Sequence, residues 1–564
     1  MKSHRVGSTA LLLWAVLFPA GAALAQAAAG AEWTTPAGTV QGTRFSSLNQ
    51  INSGNVAQLR EEFQFNTRVV DGFEGAPLVV GSTMYVVSPF PNRLFALDLA
   101  RGGALKWTFD PRADRFATDK PCCDRVNRGA VFANGKIIYN VMDNTVVAVD
   151  AVTGNGVWRT KVGDPRTGQT TTMAPLVVRN NVFIGNSGGE MGVRGFIQAL
   201  NVDTGAPVWK AFSTGPDADV RIGPRFHPFY AKDRGTNLGS TTWGGDLWLH
   251  GGSTVWAWIT YDPVSNLLYH GTANPGVWNP DLRPGDNKWS STVLARNPDT
   301  GDAIWAYQFT PHDSWDYDGV NENIVADLPI GGVTRQVNVH FDRNGFAYTM
   351  DRTTGQVLVA KAYIFLNWAS GVDLATGAPI KNPAKQTHEG VNVKDICPAA
   401  SGGKDFQPAA FSPRTNLFYV PTNNFCQDYH ALKVNLFEGA PFMGVALAFN
   451  QGPGGFGGTF MAWNAATGTK AWEILEALPV WSGALATAGD VVFYGTLDRF
   501  FKAVDARTGR VLFQTTLDAG IIGQPMTFLG PDGRQRVAIY SGAGGAPPVA
   551  VTHTAAIVHV FKLP

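Results

Sequence analysis

The sequence predicts an all-β fold, a propeller, on three observations: an eleven-residue template recurs along the chain, its spacing matches one four-stranded blade, and the composition favours turns and strands over long helices. The template is clearest in Ala148-Val149-Asp150-Ala151-Val152-Thr153-Gly154-Asn155-Gly156-Val157-Trp158, which reads as strand, Thr-Gly turn, strand. It returns at Ala199 to Trp209, Ala295 to Trp305 and Ala462 to Trp472, with Phe at the last position at Ala503 to Phe513. A form one residue longer runs from Ala96 to Trp107, and Thr349 to Val359 is a degenerate copy. Trp107 to Trp158 and Trp158 to Trp209 are both 51 residues. The gaps of 96 residues from Trp209 to Trp305 and 113 from Val359 to Trp472 leave room for insertions and another blade. Gly serves where the turn takes positive φ, and the Trp packs flat between adjacent blades as a tryptophan-docking repeat. Ile557-Val558-His559-Val560-Phe561 is the expected closing strand.

The composition supports this reading. The 64 Gly and 34 Pro fall short of low-complexity disorder, and 45% hydrophobic content supplies a core. With 45 Lys+Arg against 44 Asp+Glu, the formal charge is +1, which argues against a nucleic-acid partner or an anionic-membrane surface.

Residues 1–25 form a tripartite secretory signal: Lys2 and Arg5, the apolar run Ala10 to Phe18, then Ala23-Leu24-Ala25 before Gln26. The run is too short for a membrane anchor, and no second hydrophobic span follows. Residues 26–564 are thus expected as one exported domain. In an oxidising compartment the four cysteines, Cys122, Cys123, Cys397 and Cys426, default to two disulfides. Cys397 with Cys426 reads as a structural bridge. Adjacent Cα atoms lie about 3.8 Å apart, so bridging Cys122 to Cys123 would close a strained eight-membered ring of the kind kept at functional sites. Two separate buried thiols are the alternative. No Cys-x-x-Cys-His is present, so the chain carries no c-type haem signature.

Oxygen-bearing residues cluster in Gly-rich or aromatic settings: Glu190 after Gly188-Gly189, Asn274 in Gly271-Thr272-Ala273-Asn274-Pro275, and Asp316 and Asp318 in Trp315-Asp316-Tyr317-Asp318-Gly319. Singly these are ordinary turn formers; together they would suit a hard cation.

Four segments then carry a resemblance: Cys122-Cys123, Arg283-Pro284-Gly285-Asp286-Asn287-Lys288-Trp289, His312 to Gly319, and Gly495-Thr496-Leu497-Asp498. The chain resembles the pyrroloquinoline quinone (PQQ) dependent alcohol dehydrogenases from about Thr43 to its C-terminus, and looks closest to their lanthanide-dependent branch. The resemblance implies an eight-bladed propeller with PQQ on its axis, a Cys122-Cys123 disulfide over one quinone face and Trp256 supporting the other. It implies cofactor contacts from Glu74, Arg128, Thr172, Ser187, Gly188, Gly189, Thr254, Arg343, Asp405 and Trp481. Gly189 stands where Ala is frequent, and Asp405 where some members have Asn. Glu190, Asn274, Asp316 and Asp318 would hold the metal.

By the same resemblance the metal polarises the quinone C5 carbonyl, Asp316 takes the alcohol's hydroxyl proton and Arg343 stabilises charge on the quinone oxygen. Three acidic ligands suit a trivalent ion, so a lanthanide is expected, with calcium as the alternative. The substrate class is short-chain primary alcohols: Trp256-Ala257-Trp258 resembles methanol enzymes, and Ser314 to Asp318 is similar to ethanol-type members. Electrons would pass to a soluble cytochrome c in the periplasm, and a homodimer is compatible with the family. Two competing readings remain at this level. One is a propeller acting as a non-catalytic binding or assembly scaffold; the other is a calcium-stabilised sugar-binding or hydrolytic propeller with Asp316 as acid or base.

Overall fold

In the computed structural model, which describes Met1 and residues 28–121, 123–544 and 556–564, each copy of the template becomes the third and fourth strands of one antiparallel sheet. The leader over residues 1–25 lies, Met1 apart, outside the described residues, as does Cys122. The local chemistry explains the template. Asp150 Oδ1 accepts from the N–H groups of Val152 and Thr153 and from the Thr153 hydroxyl, and Gly154 completes the turn at φ 75°. Asn201, Asp351 and Asp505 do the same in their copies, and Asn297 accepts from the two corresponding N–H groups.

The terminal Trp then links one sheet to the next. Trp107, Trp158, Trp209, Trp305 and Trp472 each donate Nε1–H to a backbone carbonyl in the following template turn, at 3.0–3.2 Å. A Cβ on Gly154 would lie 2.6 Å from the Trp107 ring, so the glycine is needed for close approach as well as for φ.

Eight sheets of four strands, one extended by a fifth, are found among the described residues. The first strands are buried and the fourth alternate toward solvent, as Leu176–Val178 and Pro207–Phe212 illustrate. The eighth sheet is assembled from both ends of the chain: Arg60–Asn66 pairs with Ile557–Lys562, which continues to Gln535–Ser541 and Met526–Leu529. The closing strand is therefore where the sequence placed it. Among the described residues, the long gaps hold insertions and not the further blade for which they leave room. Among the described residues, the first gap holds short helical turns, including Asp217–Val220 and Leu238–Thr241. The second holds the hairpin Ala369–Asp373 and Ala378–Lys381 and a three-stranded sheet of Asn392–Ile396, Phe425–Ala431 and Val445–Gln451. The expected Cys397–Cys426 disulfide ties this insertion together.

Candidate active site

Neighbouring strands run antiparallel, so a loop entering the first strand of a sheet and a loop leaving its second strand emerge at the same end. Glu74 precedes Leu78–Val80, Arg128 precedes Ala130–Ala133, and Thr172 precedes Leu176–Val178. Thr254 and Trp256 precede Ile259–Asp262, Asp316 and Asp318 precede Asn323–Ile330, Asp405 precedes Ala410–Ser412, and Trp481 precedes Leu485–Thr487. Ser187, Gly188, Gly189 and Glu190 follow Asn181–Gly185, Asn274 follows Leu267–Gly271, and Arg343 follows Val333–Phe341. Residues scattered from 74 to 481 thus share one end of the propeller.

That end holds a cavity of about 910 Å³. Its polar wall begins at Arg128, which pairs with Glu74 at 2.7 Å and donates to the Thr172 hydroxyl at 2.7 Å; Thr172 and Ser187 are 3.2 Å apart. Burial pushes the Glu74 carboxyl up to about 8, against the pull of Arg128. Gly188 sits at φ 108°, and a Cβ there would meet the Gly168 carbonyl at 2.4 Å, so glycine is required. Gly189 is freer: a Cβ there would meet nothing nearer than the Gly252 Cα at 3.4 Å. The flat face of Trp256 is flanked by two guanidinium groups, Arg128 at 4.6 Å and Arg343 at 5.4 Å from the ring centre. Cys123, which is disulfide-bonded, and Thr254 also line the cavity. Trp481 lines it too, donating to Asn423 Oδ1 at 2.9 Å with Phe406 packed edge-on against its ring.

The acidic wall contains Glu190, Asp316 and Asp318. Arg343 contacts Asp316 at 3.3 Å, Asp318 at 3.4 Å and Asp405 at 2.7 Å. Asp318 also accepts from Trp256 Nε1 at 2.9 Å and from the Asn274 backbone N–H. Burial, reinforced by mutual repulsion among the three, pushes the carboxyls of Glu190 and Asp316 above their usual range, Asp316 furthest; burial also raises Asp318, against the pull of Arg343. If all three were ionised, their negative charge would exceed what the single Arg343 guanidinium beside Asp316 and Asp318 offsets. Among the described residues no three acidic, His or Cys side chains already surround a common point. Holding a cation requires Glu190, Asp316 and Asp318 to turn their oxygens toward it. Asn274 is not among the residues lining the cavity, and its backbone N–H donates to Asp318.

The donor set fits the groups the sequence implies. Arg128 Nε, Arg343 Nε and Ser401 Oγ are buried on the cavity wall without a hydrogen-bond partner among the described residues, which suits a ligand rich in carboxylate and carbonyl oxygens. Three anionic oxygen side chains in excess of local positive charge suit a hard cation.

Sequence reasoning missed one wall. Phe406, Met443, Leu447 and Phe449 come from the insertion or its edge, and form an apolar side of the cavity with Trp278. The Cys397–Cys426 bridge was the only mark on the sequence that this segment is held in place.

Comparisons with known proteins show the family and the fold. The family described as "PQQ: Glucose/ethanol/alcohol dehydrogenase, beta-propeller domain" matches residues 33–361 and 458–537, and the unmatched stretch between them holds the insertion together with two propeller strands, Ala410–Ser412 and Leu417–Pro421. A lanthanide-dependent methanol dehydrogenase of Methylacidiphilum fumariolicum is 49% identical over 525 residues, covering 92% of this chain and 86% of its own. Subunit 1 of a methanol dehydrogenase [cytochrome c] of Methylobacterium organophilum is 43% identical, covering 92% and 85% respectively. The solved structure of a europium-containing methanol dehydrogenase superposes with a TM-score of 0.92 at 46% identity, covering 94% of this chain and 98% of its own.

Proposed function

The chain belongs to the PQQ-dependent alcohol dehydrogenases, a quinoprotein oxidoreductase that oxidises alcohols, and we propose that its substrates are short-chain primary alcohols, which it converts to aldehydes in the periplasm. On this reading residues 1–25 are a cleaved leader and residues 26–564 one propeller domain with a blade for each of the eight sheets. When bound, PQQ supplies the hydride acceptor, and a lanthanide ion, with calcium as the alternative, supplies Lewis acidity.

The protein supplies position and charge. Glu74, Arg128, Thr172, Ser187, Gly188, Gly189, Thr254, Asp405 and Trp481 would hold the cofactor between the Trp256 face and the Cys122-Cys123 segment. Glu190, Asn274, Asp316 and Asp318 would hold the cation, whose charge would favour the ionised form of the three carboxyls. Asp316 would then accept the alcohol's hydroxyl proton. Arg343, whose Nε lacks a partner, would stabilise negative charge developing on an acceptor oxygen. The two electrons would leave singly to a soluble cytochrome c, the acceptor named for the Methylobacterium organophilum relative. The family match does not favour a purely structural scaffold.

One observation carries the reading: Glu190, Asp316 and Asp318 meet Arg343 and Trp256 on the wall of one cavity. The trivalent preference rests on Asp318, the third carboxylate. Asp318→Ala is expected to abolish lanthanide-supported alcohol oxidation while the purified protein still binds PQQ by absorbance. Unchanged lanthanide-dependent turnover would contradict the metal assignment, and a colourless protein without dye-linked alcohol oxidation would contradict the function.

A further inference from the structure

Arg343 is gripped along its whole length by one short segment, residues 400 to 405. Ala400 O accepts from Nη1 at 3.0 Å, Gly403 N–H donates to Arg343 O at 3.0 Å, and Asp405 Oδ1 takes Nη2 at 2.7 Å. Gly402 lies so close that a Cβ there would fall 2.6 Å from Arg343 Cγ. The segment is itself anchored: Gln407 Oε1 accepts from Asp405 N–H at 3.1 Å, and the buried Lys404 reaches Glu322 at 2.6 Å. By contrast, the contacts of Arg343 with Asp316 and Asp318 are long, at 3.3 and 3.4 Å.

A buried guanidinium beside two carboxylates would ordinarily close on them as their counter-ion. In this cavity that would occupy the oxygens a metal ion needs. We propose that Asp405 is a positioning residue that holds Arg343 off Asp316 and Asp318, so that these carboxylates remain available to the cation. Asp405 supplies Arg343 with a partner of its own, offsets its charge and leaves Glu190, Asp316 and Asp318 to the ion. The inference rests on the metal-assisted reading above.

The test is a terbium(III) titration of PQQ-loaded protein, read by luminescence sensitised through nearby tryptophan, with bound PQQ followed by absorbance. Asp405→Asn keeps an oxygen for the cofactor contact assigned to this position but removes the charge that pairs with Arg343, and in the fraction that absorbance shows to carry PQQ it is expected to weaken terbium binding roughly 10- to 100-fold, the usual effect of losing a residue that orients metal ligands. The double variant Arg343→Gln/Asp405→Asn, which removes the guanidinium that would collapse, is expected to regain most of the affinity. Asp124→Asn removes another carboxylate from the same cavity wall and is expected to change affinity far less. Unchanged affinity in Asp405→Asn, a double variant as weak as the single, or an equal loss in Asp124→Asn would overturn the proposal. Wild-type protein that holds PQQ yet shows no saturable terbium binding would instead overturn the metal reading on which it rests.

Discussion

The rim and the axial end of this propeller are built by opposite rules. At the rim, one solution is repeated: a Trp lies on the next template turn and donates to one of its carbonyls, as Trp158 does to Val202 and Trp209 to Pro298. These contacts bury apolar surface and satisfy their polar atoms, so they stabilise the fold without cost elsewhere. At the axial end each sheet contributes a different set of residues, and carboxylates are packed where burial and mutual repulsion oppose their ionisation. The rim is selected for stability, and the axial end holds charge that is useful only when a ligand arrives.

The sharpest way to separate the two is a pair of substitutions with opposite signatures. Asp316→Asn is expected to reduce kcat by roughly 10²–10⁴-fold, the contribution typical of a general base. The same change should leave the melting temperature of the metal-free protein unchanged or raise it, because it removes a buried carboxyl whose ionised form is opposed by burial and its acidic neighbours. Steady-state kinetics with calorimetry would measure both, and a large fall in melting temperature would show that Asp316 also serves the scaffold. Trp209→Ala should do the reverse. Loss of this buried ring and of its bond to Pro298 O is expected to lower stability by about 3–5 kcal/mol in denaturant titration, with kcat per folded molecule little changed. A destabilisation below about 1 kcal/mol would mean that the docked Trp is incidental to the rim.

How much of each region the sequence reveals follows from the same contrast. The rim is legible because its parts recur in a fixed order: Asp150, Gly154 and Trp158 lie within one template, and the contact that Trp158 makes with the next template is the one that Trp107 makes with this one. Its eighth member is hidden, since Phe63 occupies the Trp position from a strand almost 500 residues away from its partner. Phe63 pairs with Val560 after a register irregularity, as Trp158 pairs with Ala148, and Gly103 packs on its ring as Gly154 packs on Trp107. The axial site is legible only as isolated departures from the repeat. That they share a cavity is set by antiparallel pairing, which a family resemblance can import but spacing cannot. The grip of Asp405 on Arg343, the backbone bond from Asn274 to Asp318 and the apolar wall carrying Leu447 and Phe449 depend on how distant loops pack, so no local pattern announces them.

The smallest effect tests whether ring size or the turn beneath it makes a rim contact. Phe513 ends its template where five other copies have Trp, yet it faces the one sheet whose third and fourth strands come from opposite ends of the sequence and share no Thr-Gly turn. There is space beside it, a cleft of about 500 Å³ lined by Phe513, Leu517 and His559. If room for a larger ring were sufficient, Phe513→Trp would stabilise the protein. If the interaction requires a turn carbonyl for the indole N–H, the new donor finds no such partner and the gain in area is offset by a polar group poorly placed at the cleft. We expect the second outcome, a change within about 0.5 kcal/mol of wild type in denaturant titration. A clear stabilisation would make the rim a matter of ring burial alone and reduce the indole hydrogen bonds of the five docked Trp residues to a by-product of their packing.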